Sequence, residues 1–155
     1  MALSEYFGRS SERIAAMHGE LSRRAEELGL AFNPPEILAN TRKAHVLTEY
    51  ARDRARLDEL HRELFRVNFV EGGNLGADAV LMEATGRVGL NPEQAMAALD
   101  RPEYLERVQG AIRRSRQIGV TGVPTFIVDG KYMIVGAHPY ESLRDALRQI
   151  AQGKG

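Results

Sequence analysis

The 155 residues contain no cysteine and no tryptophan. The first absence excludes disulfide bridges, thiolate catalysis by these residues, and cysteine-ligated zinc or iron–sulfur sites. There is also no net charge, because 21 Lys and Arg balance 21 Asp and Glu. That balance offers no electrostatic footprint for nucleic acid or for an anionic membrane surface, so neither partner is expected. No apolar run approaches the ~20 residues of a membrane-spanning helix. Met1-Ala2-Leu3-Ser4-Glu5 lacks the basic and apolar regions of a secretory signal, and a cytoplasmic location is the expectation. Internal repeats of solenoid period, low-complexity tracts, Gly-x-Ser-x-Gly elbows and His-Glu-x-x-His motifs are all missing.

What is there is mostly helical periodicity. The length suits one domain, expected to span 1–155. Met1–Arg9 reads as a loose lead-in, and Ser10 or Ser11 can cap the first helix. Ile14, Met17, Leu21, Ala25 and Leu28 make one apolar stripe, stopped at Gly29. Leu30-Ala31-Phe32 reads as a short extended piece ahead of a rigid Pro34-Pro35 turn. Asn40 is the expected cap of a helix carrying Ala44, Leu47, Tyr50 and Ala51. The helical pattern is read as continuing through Leu57, Leu60, Leu64, Phe65 and Phe69. Glu71-Gly72-Gly73-Asn74 is a loop. The spacing then predicts a helix over 77–88 with Gly89 past its end. Asn91-Pro92-Glu93-Gln94 has the form of a capping box, and Asp100 with Glu103 repeats the device. The helix that follows stops at Gly119. A last helix carries Leu143, Ala146, Leu147 and Ile150, and Ala151–Gly155 is expected to fray.

Between those last two helices the pattern changes. Thr125–Val128 is β-branched and aromatic, as a strand requires. Asp129-Gly130 suits a type I′ turn, in which both central residues take positive φ. Tyr132–Val135 is the return strand, ended by Gly136. Val123-Pro124 ahead of the first strand is a candidate cis peptide. Such a bond would leave the Val123 N–H and C=O open to an extended peptide or to glutathione. The alternative is a turn with a structural role only.

Other candidates for chemistry are weaker. His18, His45, His61 and His138 do not share a metal-ligand spacing, and only His45 and His138 fall near packing surfaces. His138 precedes proline, so its backbone is biased to extended geometry. Glu59 and Glu63 share a helix face, but Arg56, Arg62 and Arg66 beside them favour ion pairing over acid–base work. Arg113, Arg114 and Arg116 form a small basic cluster best read as an exposed face. Gly72-Gly73-Asn74-Leu75-Gly76 imitates a phosphate loop, but it follows a helix and lacks the Lys-Ser/Thr pair. No cofactor is called for.

Gly119-Val120-Thr121-Gly122-Val123-Pro124-Thr125-Phe126, a strand, Asp-Gly, a strand and Gly136-Ala137-His138-Pro139-Tyr140-Glu141 resemble the C-terminal end of the DsbA-like thioredoxin-fold family, FrnE-like branch. Tyr6-Phe7-Gly8-Arg9-Ser10, Gly29-Leu30-Ala31-Phe32, Asn40-Thr41 with Ala44-His45, and Leu64-Phe65-Arg66-Val67-Asn68-Phe69 extend the likeness over nearly the whole chain. The resemblance implies an α/β, predominantly helical fold: a partial thioredoxin-like domain with a helical insertion over 10–118, then a hairpin and terminal helix over 119–150. It implies substrate binding at Gly122, Val123, Pro124 and Thr125, and thiol–disulfide oxidoreduction as the family activity. The family begins with a strand, a Cys-x-x-Cys helix and a second strand. This chain is read as lacking that portion, hence as inactive alone. An interaction module using the exposed strand edge, or a glutathione-binding isomerase, are the alternatives. An apolar strand edge without charged guardians recruits another strand, so a homodimer is expected, with Leu30–Phe32 or the N-terminal residues as rival fillers.

Overall fold

The computed structural model describes Gly8, residues 10–33 and residues 37–153. The remaining lead-in residues, the Pro34-Pro35 turn and the last two residues lie outside the described residues. The fold is predominantly helical with one two-stranded antiparallel hairpin. Two compact units are distinguished, Met1–Val108 and Gln109–Gly155.

In the first unit, α1 spans Ser11–Glu27, and Ser10 caps it by accepting from the Arg13 N–H. Of its apolar stripe only Ile14 is buried; Leu21 and Leu28 stay exposed. Helix α2 spans Arg42–Arg52 and α3 spans Leu57–Phe69. They are separate helices, where the sequence pattern reads as continuous. Ala55 takes a left-handed conformation at φ 54°, and the Arg56 N–H reaches back to the Ala51 carbonyl, reversing the chain. Thr41, not Asn40, occupies the cap position of α2; Asn40 Oδ1 instead accepts from the Arg42 N–H at 3.0 Å. Helix α4 spans Asp78–Arg87. Helix α5 spans Pro92–Ala97, with the Asn91 side chain accepting from the Gln94 N–H at 2.9 Å. A 3₁₀ turn over Ala98–Asp100 leads into α6, Pro102–Gln117. Asp100 therefore closes the turn rather than capping α6, and Glu103 pairs with Arg101.

The core of this unit gathers Leu47 and Tyr50 of α2, Leu60 and Leu64 of α3, Leu81 of α4, and Tyr104 of α6. Tyr50 and Tyr104 meet edge to face at 5.9 Å, a favoured aromatic geometry. On α3 the buried stripe is Leu60, Leu64 and Val67, spaced four and three residues apart. Phe65 lies outside it and is 63% exposed, contrary to its reading as core.

In the second unit, β1 (Thr125–Val128) pairs antiparallel with β2 (Tyr132–Val135), placing Thr125 opposite Val135 and Val128 opposite Tyr132. Asp129 and Gly130 both have positive φ, and the turn closes by the Lys131 N–H onto the Val128 carbonyl. With Tyr132 opposite Val128, Lys131 stands outside the pairing. Helix α7 spans Tyr140–Ala151, and Leu143, Ala146 and Ile150 are half-buried on its inner face while Leu147 is exposed.

Candidate functional site

The candidate site is the loop from Gly119 to Thr125, and both its ends are fixed. At the first end, α6 stops because Gly119 turns left-handed at φ 83°. The Val120 N–H then bonds the Ser115 carbonyl at 2.9 Å and the Gly119 N–H bonds the Arg116 carbonyl at 3.1 Å. That pair of bonds is the Schellman closure, which satisfies carbonyls a helix end leaves free. At the other end, the Gly136 N–H donates to the Pro124 carbonyl at 2.8 Å, one step beyond the strand ladder. The Thr125 hydroxyl donates to the Gly122 carbonyl at 2.7 Å and draws the loop into a turn.

Between these anchors the loop presents Val123, which is 91% exposed. The Val123–Pro124 peptide bond is cis. Among the described residues, neither the N–H nor the C=O of Val123 has a hydrogen-bond partner. A segment held at both ends, with free backbone groups between, has the form that pairs with an extended chain. Gly122 adds no side chain, and a Cβ built there would meet open space. Gly122, Val123, Pro124 and Thr125 are thus brought into one turn of backbone. His138 flanks β2, its Nε2 donating to the Val135 carbonyl at 3.0 Å.

The other histidines lie in the first unit. Among the described residues no cluster of three or more His, Asp or Glu forms a metal-holding group. His45 and His61 do converge, however, on a cavity of about 250 Å³ lined also by Thr48, Leu64, Phe65 and Phe69. Sequence reasoning set His61 among charges on α3 and did not see this meeting, because α2 and α3 were read as one pattern and their pairing depends on the turn at Ala55.

The carboxylates are engaged in ion pairs. Glu63 accepts from Arg66 at 2.7 Å and from Arg87 at 2.9 Å; the same two arginines bind Glu71. The Arg66 guanidinium, with Arg87 beside it, holds the Glu63 carboxyl down to about 2. A carboxyl so acidic takes up no proton near neutral pH, so it cannot serve as a general base there. Glu59 pairs with Arg56. The glycine-rich loop is structural: Asn74 Oδ1 accepts from the Gly76 N–H at 2.9 Å, and the Gly73 N–H bonds the Val67 carbonyl at 2.8 Å. Arg113, Arg114 and Arg116 lie exposed on α6. No described helix is long and apolar enough to cross a membrane.

The DSBA-like thioredoxin domain family matches residues 1–148. No curated protein matches the chain. Among solved structures, the chain is similar to a probable DsbA oxidoreductase from Streptomyces coelicolor, with 32% identity and a TM-score of 0.83. The match covers 99% of this chain but 66% of that one, so this chain spans just under two thirds of its length. It is also similar in fold to a "putative protein disulfide isomerase" from Nitrosomonas europaea, at 16% identity and a TM-score of 0.69, over 94% of this chain and 77% of that one.

Proposed function

This chain belongs to the DSBA-like thioredoxin family, and from that premise we propose that it is the substrate-holding part of a thiol–disulfide oxidoreductase of the FrnE-like branch. Its loop Gly122-Val123-Pro124-Thr125 receives the extended backbone of a disulfide-bearing peptide. The observation that carries this reading is the unpartnered backbone of Val123 in a loop tied down on both sides. An incoming strand satisfies the Val123 N–H with one of its carbonyls and the Val123 C=O with one of its amides, as strand addition does elsewhere.

Disulfide exchange needs a thiolate that attacks one sulfur of the substrate disulfide, forms a mixed disulfide and releases the other sulfur as a thiolate. These 155 residues contain no sulfhydryl. Their share of the reaction is to bind and orient the substrate, and the attacking thiolate comes from outside them. Glutathione, a short peptide with its own thiol, fits the same backbone-pairing chemistry.

The test is amide NMR during titration with an extended peptide that contains a disulfide. The expected result is that the Gly122, Val123 and Thr125 amide signals shift together, and that Val123→Pro, which removes the N–H, abolishes the response. Shifts elsewhere with this loop silent would refute the reading. Insulin reduction by the chain alone should be blank; turnover without an added thiol would refute the assignment of the thiolate to another source.

A further inference from the structure

At the end of β2 the chain leaves the hairpin and turns toward α7. Gly136 is the first residue past the ladder, and it donates its N–H to the Pro124 carbonyl at 2.8 Å. Its φ of 102° is one that glycine adopts without strain. Ala137 and His138 make no backbone hydrogen bond among the described residues. What ties the segment is a side chain: His138 Nε2 donates to the Val135 carbonyl at 3.0 Å, closing a ring across Val135–His138. A carbonyl has no proton to give, so the nitrogen is the donor. Both the neutral Nε2–H form and the imidazolium carry that proton. A Cβ built on Gly136 would lie 3.7 Å from the same nitrogen, so the imidazole also lies alongside Gly136. The His138 backbone is restrained from the other side. Pro139 biases it toward extended geometry, and the Pro139 carbonyl accepts from the Leu143 N–H of α7 at 3.2 Å.

We propose that His138 is a positioning residue for the loop Gly122-Val123-Pro124-Thr125. Its imidazole fixes the turn Val135–His138, the turn aims the Gly136 N–H, and that N–H holds the Pro124 carbonyl beside the exposed Val123. Hydrogen-bonded and open pairs alternate along an antiparallel ladder. Thr125 stands opposite Val135, next to the bond between Gly136 and Pro124, so the Val135 carbonyl points away from β1 and is free for His138. Glycine has more backbone freedom than any other residue. The direction of the Gly136 N–H is therefore set by what constrains its neighbours, and Ala137 supplies no tie. His138 is exposed, so its hydrogen bond competes with water and its contribution is that of one ordinary bond. The role rests on the peptide-binding reading for what the loop receives, while the tie itself is a property of the free chain.

Three variants separate the hydrogen bond from the mere presence of a side chain. Glutamine places an amide N–H where Nε2 stands; asparagine places one where Nδ1 stands, too short to reach. In the free chain, His138→Ala and His138→Asn should speed exchange of the Gly136 amide by about 2- to 10-fold, the worth of one ordinary hydrogen bond, and His138→Gln should restore it. Exchange at Tyr132, at the turn end of β2, and the helical circular dichroism should not change. In the unmodified chain at pH ~8.5, above the ordinary imidazole value, the ring nitrogen chemical shifts should place the proton on Nε2. Titration with the disulfide-bearing extended peptide should show affinity reduced by a similar factor in the Ala and Asn variants and recovered in the Gln variant. A proton on Nδ1 would overturn the proposal, because Nε2 could not then donate. So would Gly136 exchange that is the same in all four proteins, or that asparagine restores as well as glutamine does. Faster Gly136 exchange with unchanged peptide affinity would overturn it too, since the imidazole would then hold the turn without positioning the loop. An unmodified chain that takes no peptide would refute the peptide-binding reading; the exchange and tautomer measurements use no peptide and judge the tie by themselves.

Discussion

Gly73 is glycine because Val67 occupies the space where a side chain would go. A Cβ built on Gly73 would lie 2.6 Å from Val67 Cγ1 and 3.1 Å from the Val67 carbonyl oxygen. The first neighbour is a side chain and could shift; the second is backbone and cannot without moving α3. Gly73→Ala should therefore destabilise the fold by ~1–3 kcal/mol, the usual range for overpacking. Urea unfolding measures it. In a Val67→Ala background the same change should cost less, because the methyl clash has gone, and the difference between the two costs isolates that contact. The two glycines of this loop looked like a phosphate cradle in sequence, and only the distance to Val67 assigns Gly73 to packing. Other single residues were legible early. Ser10 and Asn91 each accept the N–H three residues on, as their types and positions require.

At the scale of elements, the joint between α3, the glycine loop and α4 is a cluster of ions: Glu63 and Arg66 from α3, Glu71 from the loop, Arg87 from α4. Glu63 is the centre, with its side chain only 12% exposed. Its carboxyl sits at about 2 in the folded chain against 4.5 for the free side chain, chiefly through the hydrogen bond from Arg66. A carboxyl lowered on folding adds stability above the unfolded value, and that stability is lost as pH falls from about 4.5 toward about 2. After allowance for the solvent around the arginines, the loss should be ~1–2 kcal/mol. Denaturant titrations at neutral pH and near pH 3 should show it, and Glu63→Gln should flatten the difference while lowering stability at neutral pH. The pairing of Glu63 with Arg66 follows from helical spacing alone. Arg87 and Glu71 join from other elements, and no local pattern predicts their arrival.

At the scale of the molecule, burial is unevenly distributed. In Met1–Val108, residues such as Leu47, Leu60 and Leu81 are fully enclosed. In Gln109–Gly155 no described residue is. Amide exchange tracks local opening, which is least costly where few apolar contacts are lost. The amides of α2, α3 and α4 should accordingly exchange slowest, and those of β1, β2 and α7 much faster, when followed by hydrogen–deuterium exchange in dilute solution. Equal protection of both units in dilute solution would contradict the burial pattern.

Periodicity, caps and turn chemistry are local properties, and they were enough to place the later helices, the glycine stops at Gly89 and Gly119, and the hairpin around Asp129-Gly130. The stretch Gly119–Gly136 carried the family likeness for the same reason: its loop, strand and turn residues are neighbours in sequence. The division of α2 from α3 was not legible, since Ala55 is an ordinary helix former and nothing in its type announces the left-handed conformation it takes there. Nor was the exclusion of Phe65 from the core, because which apolar face turns inward depends on what lies opposite. The meeting of His45 with His61 and the role of Gly73 were likewise decided in three dimensions. Each depends on distances between residues that the chain order does not bring together.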